Sequence, residues 1–180
     1  MSGAFGAVLC GGASSRMGID KATILVAGVA MARRVADALV AAGCSPVSAI
    51  GGDAAELGRL GLEYVADQHP GDGPLGGIIT ALAVHAPAAV MACDLPGLRA
   101  ATVTSLLDAL GDHDAAIAFS DRAEPLCAVW SDRAVPVLRA RFQSGERAMY
   151  RAIDGLDIAW VTVVATDLHN VNTPGDLGNL

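Results

Sequence analysis

The sequence predicts an α/β fold with a mainly parallel sheet and helices on both faces. Short apolar runs of strand length alternate along the chain with segments whose apolar residues recur at helical spacing. Several of those runs break off at Gly or Asp, as strands do where they enter a loop. Hydrophobic residues make up 53% of the 180 residues, enough for one sizeable core, so a single domain over 1–180 is expected.

Taken in order, residues 7–10 form a short apolar run that ends in Gly11-Gly12 and reads as a buried strand. Residues 30–42 carry Val35, Leu39 and Ala42 at helical spacing, and Gly43 follows as a stop signal. Residues 47–50 read as a second strand closed by Gly51-Gly52-Asp53, and 63–65 as a third. The stretch from His69 to Gly77 is rich in Gly and Pro and reads as a loop, which starts the next helix at 78–85. Residues 88–93 are a buried strand ending at Asp94. Helix 101–110 places Val103, Leu106, Leu107 and Leu110 on one face. Residues 115–119 and 126–130 read as paired strands joined by a polar loop at 120–125. A helix over 132–143 has Val135, Leu138 and Phe142 as its stripe, 158–164 is the last strand, and Pro174 opens a short final helix. In such sheets ligands sit outside the carboxyl ends of the strands, which directs attention to loops 11–21, 51–53, 67–77, 94–97 and 170–173.

Composition removes several classes of function. The net charge is −7 with no cluster of Lys and Arg, which argues against nucleic acid as a partner. No apolar run is long enough to span a bilayer. The first residues carry no basic segment, so no signal peptide is expected and the cytoplasm is the expected location. Cys10, Cys44, Cys93 and Cys127 form no CxxC pair, so neither zinc nor disulfides are expected. His69, His85, His113 and His169 share no ligand spacing, and Trp130 reads as core.

The strongest local signal follows the first strand: Leu9-Cys10-Gly11-Gly12-Ala13-Ser14-Ser15-Arg16-Met17-Gly18-Ile19-Asp20-Lys21. Two glycines let backbone approach a phosphate with no Cβ in the way, and successive N–H groups can form an anion-binding nest. Arg16 and Lys21 add positive charge, Lys as a point charge and Arg as a fork. The Walker A pattern does not fit, because five residues separate Gly12 from Gly18 and neither Ser nor Thr follows Lys21. The dinucleotide fingerprint is also missing, since Ala13 stands where its second Gly would be.

Asp94 sits at the carboxyl end of a buried strand, well placed to hold Mg²⁺ beside a triphosphate. It also reads as the first residue of the turn Asp94-Leu95-Pro96-Gly97, and that turn would aim the side chain. Read from the residues alone, Asp67 follows a strand and is a loop Asp placed to cap backbone N–H groups. Asn170 and Asn172 alternate with Val171 and can point the same way in an extended segment. Thr173-Pro174-Gly175-Asp176 is explained as a helix start alone.

The N-terminal run is similar to the LxGGxSxRMGxDK signature of nucleotidyltransferases that build the molybdenum cofactor. Four further blocks agree in order and spacing: Asp67, Gly73-Pro74-Leu75-Gly76-Gly77, Cys93-Asp94-Leu95-Pro96 and Asn170-Val171-Asn172-Thr173-Pro174. The chain thus resembles the MobA-type molybdenum cofactor guanylyltransferases over nearly its whole length. Its Gly11-Gly12 form and its Gly-Pro-Leu-Gly-Gly block resemble the guanylyl branch rather than the cytidylyl enzymes. Two departures stand out. Cys10 replaces the usual Ala, and Gly51-Gly52 stands where some relatives have Asn near the base.

The resemblance implies a Rossmann-like nucleotidyltransferase fold. It also implies nucleotide contacts from Leu9, Cys10, Gly11, Gly12, Lys21, Asp67 and Asp94. Asp94 and Asn172 would hold Mg²⁺, and Arg16, Lys21 and Asp94 would carry catalysis. Asn170 and Arg147 would meet the acceptor, although Gly145-Glu146-Arg147 reads equally well as an ordinary loop between helices. The implied reaction joins GMP from GTP to the terminal phosphate of a molybdopterin-type cofactor. A phosphate monoester is already an anionic nucleophile, which suits a chain with no Ser/His/Asp or Cys/His constellation; positioning and charge neutralisation would supply the rate. The implied partners are GTP, the pterin, and proteins that insert molybdenum or chaperone the apoenzyme. The alternatives are a transferase with another base or acceptor, and a non-catalytic GTP-binding chaperone.

Overall fold

The computed structural model describes residues 4–11 and 21–171. The chain builds strands β1 (Phe5–Leu9), β2 (Leu25–Val26), β3 (Val29–Ala30), β4 (Val47–Ile50), β5 (Glu63–Val65), β6 (Ala88–Ala92), β7 (Ala115–Phe119), β8 (Ala123–Trp130) and β9 (Ile158–Thr162). Its helices are α1 (Met31–Ala41), α2 (Ala54–Arg59), α3 (Pro74–Val84), α4 (Ala100–Leu110), α5 (Val135–Gln143) and α6 (Met149–Ala152). Seven strands form one sheet in the order β5-β4-β1-β6-β8-β7-β9, while β2 and β3 form a separate hairpin. Within the large sheet β8 runs against its neighbours, and the other pairings are parallel.

Alternation along each strand divides the core into two layers. Phe5, Ala7 and Leu9 of β1 face a cluster with Leu75, Ile78, Ile79 and Leu82 of α3, Leu138 of α5 and Ala152 of α6. Val8, between them, faces the opposite cluster with Val35 and Leu39 of α1 and Val103 and Leu106 of α4. Each fully buried Val, Leu or Ile contributes about 1.5–3 kcal/mol. Helices therefore lie on both faces, as expected.

The boundaries of β4, β5 and β7 match the expected strands, and four departures have physical causes. The helix expected at 78–85 begins four residues earlier, at Pro74. Gly76 and Gly77 lie in its first turns, and they are glycine because a Cβ there would come 2.7 Å from the Cβ of His69 and 3.1 Å from a methyl of Leu9. These glycines mark close packing rather than loop. The strand expected at 126–130 begins at Ala123, because β8 continues beyond an irregularity opposite Ile117 and Ala118 and resumes pairing at Glu124. Pro125 falls within that irregularity, where no ladder N–H is required. The Asp53 carboxylate accepts from the N–H groups of Ala55 and Glu56 and so starts the unexpected helix α2. Ala27 and Gly28, both with positive φ, close the unexpected β2–β3 hairpin. The helix expected from Pro174 lies outside the described residues.

Candidate active site

The order of strands creates the site. From β1 the chain moves outward to β4 and β5, then returns to lay β6 on the other side of β1. The direction of winding reverses there, and α/β sheets open a ligand crevice at that point. The loops leaving β1 and β6 are stitched together by the Cys93 N–H, which donates to the Leu9 carbonyl at 3.1 Å.

Asp94 emerges beside this stitch. Every residue of β6 is buried, and the Asp94 side chain, 21% exposed, is close to the point where the strand meets solvent. The Lys21 ammonium donates to its Oδ2 at 3.3 Å, with the lysine side chain 20% exposed. An ion pair this accessible is worth roughly 1 kcal/mol or less in stability. Its chemical content is the meeting of a cation from the first loop with a carboxylate from the central strand. The Val171 N–H donates to the Asp94 carbonyl at 3.0 Å, which brings half-buried Asn170 to the same turn.

The floor beside β1 is made of backbone. The N–H groups of Cys10 and Gly11, two of those expected to face phosphate, both donate to the Ile50 carbonyl, at 2.9 and 3.2 Å. Gly51, with φ +70°, lies so close that a Cβ would come 3.1 Å from the Gly11 Cα. A Cβ on Gly52 would meet the Cβ of buried Cys10 at the same distance. The Gly51-Gly52 pair thus brings the end of β4 against the first loop. Leu9, buried in β1, packs its side chain against Gly77 of α3.

The two carboxylate oxygens of Asp67 have different surroundings. Its Oδ1 accepts from the His69 N–H at 2.9 Å and from the Thr80 hydroxyl at 3.0 Å. Its Oδ2 faces the first loop, 3.6 Å from where a Gly11 Cβ would stand. Fully buried Thr80 also accepts from the Gln68 N–H and lies 3.0 Å from the Gly76 carbonyl. Sequence reasoning missed Thr80, whose one signal is a hydroxyl inside an otherwise apolar helical run.

Arg147 stands with a different group. Its Nε donates to Asp72 Oδ1 at 3.2 Å and its Nη1 to the carbonyls of Phe142 and Glu146, each at 2.9 Å. The guanidinium lies 3.9 Å over the Phe142 ring, which also packs against His69 at 4.5 Å between centroids. Arg147 therefore braces the 67–73 loop against α5. The Arg151 guanidinium, with N–H groups of the chain, holds the Glu146 carboxyl down at about 2.

A second missed residue is Glu124. Burial pushes its carboxyl above the ordinary range, and the charge of Asp94 adds to the rise. Glu124 lies on β8, the strand paired with the β6 strand that ends at Asp94. Its signal in the sequence was a charge directly before the apolar run of β8.

Among the described residues no three of His, Cys, Asp or Glu converge on one point. Asp94 supplies a single hard carboxylate oxygen donor at the mouth of the crevice, and Mg²⁺ suits such a site because it keeps waters and phosphate oxygens as its remaining ligands. Gly12, Arg16 and Asn172 lie outside the described residues. Among the described residues no helix is long and apolar enough to cross a membrane.

Comparison with known proteins supports the fold and gives its family. The family model of the MobA-like NTP transferase domain matches residues 6–168. A probable molybdenum cofactor guanylyltransferase of Opitutus terrae is 36% identical over 157 residues, covering 84% of this chain and 78% of that protein. The molybdenum cofactor guanylyltransferase of Xanthomonas euvesicatoria pv. vesicatoria is 35% identical over 178 residues, covering 94% and 89%. The crystal structure of molybdopterin-guanine dinucleotide biosynthesis protein A from Archaeoglobus fulgidus superposes with a TM-score of 0.78 at 26% identity, covering 97% of this chain and 95% of that one.

Proposed function

We propose that this chain, which belongs to the MobA-like NTP transferase family, transfers GMP from GTP to the terminal phosphate of a molybdopterin-type cofactor. An oxygen of that phosphate attacks the α-phosphorus of GTP. A new P–O bond forms, the bond between the α- and β-phosphates breaks, and its electron pair leaves with pyrophosphate. No proton need be removed from an ionised phosphate, so the enzyme's task is placement and charge neutralisation. The catalytic unit spans 1–180.

The observation that carries this reading is the 3.3 Å approach of Lys21 to Asp94 beside the Leu9–Gly11 turn. Lys21 faces the negative charge that builds on the departing phosphates. Asp94 would hold Mg²⁺, which when bound would supply neutralisation of phosphate charge. The Gly11 and Gly51 backbones, packed on each other, form the floor beneath the nucleoside, and Asp67 Oδ2 accepts from it. By family resemblance Arg16 joins Lys21 on the triphosphate, Asn172 joins Asp94 on the metal, and Asn170 contacts the acceptor. Arg147 serves the acceptor from the 67–73 loop that it braces. The names carried by the relatives support guanylyl as the transferred group.

The test is pyrophosphate release measured with GTP, ATP, CTP and UTP in turn, with Mg²⁺, in the presence and absence of molybdopterin. Release is expected with GTP and only when molybdopterin is present. Release with CTP in preference to GTP would reassign the base. GTP binding without release under any condition would leave a chaperone instead of an enzyme.

A further inference from the structure

Behind the Asp94 turn lies a cavity of about 470 Å³ that the proposed reaction does not use. Its lining includes Val26, Arg34, Pro96, Arg99, Thr166 and His169, and it includes neither Lys21, Asp67 nor Asp94. The volume is within the range of small-molecule sites, roughly 300–1,000 Å³.

The charges in its wall are unequal. Asp167 is 1% exposed and already engaged: its carboxylate accepts from Arg99 Nε at 2.8 and 3.1 Å and from the Thr102 hydroxyl. That pairing neutralises Arg99 in large part. Arg34 differs. Its Nε donates to the Pro96 carbonyl at 2.9 Å and its Nη1 to the Val26 carbonyl at 3.4 Å, and no carboxylate among the described residues lies within ion-pair distance. Two neutral carbonyls hold the guanidinium still and leave its charge uncompensated. A guanidinium has five N–H groups, so donors remain for a planar oxyanion. The apolar surfaces of Val26 and Pro96 lie beside it and suit a compact hydrophobic body.

We propose that this cavity is a second ligand site, for a small organic anion whose carboxylate or phosphate pairs with Arg34 and whose apolar body rests on Val26 and Pro96. The site has a built-in connection to the crevice. Pro96 follows Asp94 by two residues, and an anion that draws Arg34 away from the Pro96 carbonyl loosens the turn carrying Asp94. This inference stands on the cavity alone and does not depend on the proposed reaction.

The test titrates benzoate, phenyl phosphate and neutral phenol into ¹⁵N-labelled protein and follows amide shifts. At least one of the two anions is expected to give saturable shifts at Gly97 and at 165–169, with phenol giving none; which anion binds more tightly identifies the head group. Arg34→Gln should weaken that binding about tenfold or more, the loss of a charge-assisted contact. Arg133→Gln, which disrupts a remote surface pair with Asp112, should leave it unchanged. In the unmutated protein, contacts from the phenyl protons to the Val26 methyls should appear as NOEs, a readout that needs no variant to fold. The proposal is overturned if neither anion saturates, if those NOEs are missing, or if Arg34→Gln titrates like the parent.

Discussion

Lys21 and Asp94 are 73 residues apart in the chain and 3.3 Å apart in space. The turn at Lys21–Thr23 supplies the cation and the end of β6, paired with β1, supplies the carboxylate. A pair placed for catalysis should matter far more to rate than to stability. Asp94→Asn and Lys21→Met are each expected to lower kcat by on the order of 10²–10³, the usual loss for one group that stabilises developing charge. The thermal midpoint should move by no more than about 4 °C, because an accessible pair is worth about 1 kcal/mol or less. Steady-state pyrophosphate release and calorimetry check the two halves, and a variant that keeps the parent rate removes its residue from the chemistry.

Gly51→Ala should destabilise the protein by about 1–3 kcal/mol, since a positive φ and a close neighbour act together. The added Cβ would also press on the Gly11 Cα and raise the KM for nucleotide. Gly58→Ala is the matched control: it sits in α2 with open space around it and should be neutral or stabilising by about 0.4–1 kcal/mol. Urea titration of both variants separates strain from a general intolerance of substitution.

Thr80→Val should cost about 1–3 kcal/mol, because it leaves the half-buried Asp67 Oδ1 and the Gln68 N–H short of their hydroxyl partner. Thr80→Ser keeps the hydroxyl and should recover most of that loss. Equal losses in the two variants would show that packing of the methyl group, and not the hydrogen bonds, is what Thr80 provides.

Glu124→Gln should be more stable than the parent at pH 7, by a margin that shrinks as the pH falls. Burial raises this carboxyl in the folded chain above its ordinary value of 4.5. The fold therefore binds the proton more tightly than the unfolded chain, and the stability gained below that ordinary value is lost as the pH rises through the folded one. Glutamine removes the loss. Thermal midpoints of both proteins from pH 4 to pH 8 check it, and a gap that stays constant or widens toward acid would contradict it.

Much of this architecture is legible in the chain. Strands β4 and β7 stand where apolar runs bounded by Gly, Asp and Ser place them, because a buried strand needs little beyond such a run, while β5 is a short edge strand with Glu63 and Tyr64 exposed. The Asp94 turn is legible for the same reason: a carboxylate directly after a buried strand has to come out at its end. Helix α3 shows the limit. Gly76 and Gly77 look like loop in sequence, yet they lie in the helix, and they are glycine because Leu9 and His69 occupy the places where their side chains would be. Glu124 and Thr80 were passed over since a single polar residue in an apolar run carries no periodic signal.

Local pattern thus determined the elements, their alternation and the candidate residues, all of which depend on neighbours a few positions away. Tertiary structure alone decided which of those residues meet. Setting β6 against β1 brought Lys21 to Asp94, while packing α5 against the 67–73 loop gave Arg147 to Asp72. Contacts of that kind depend on where distant segments pack, and no spacing within one segment encodes the distance between two.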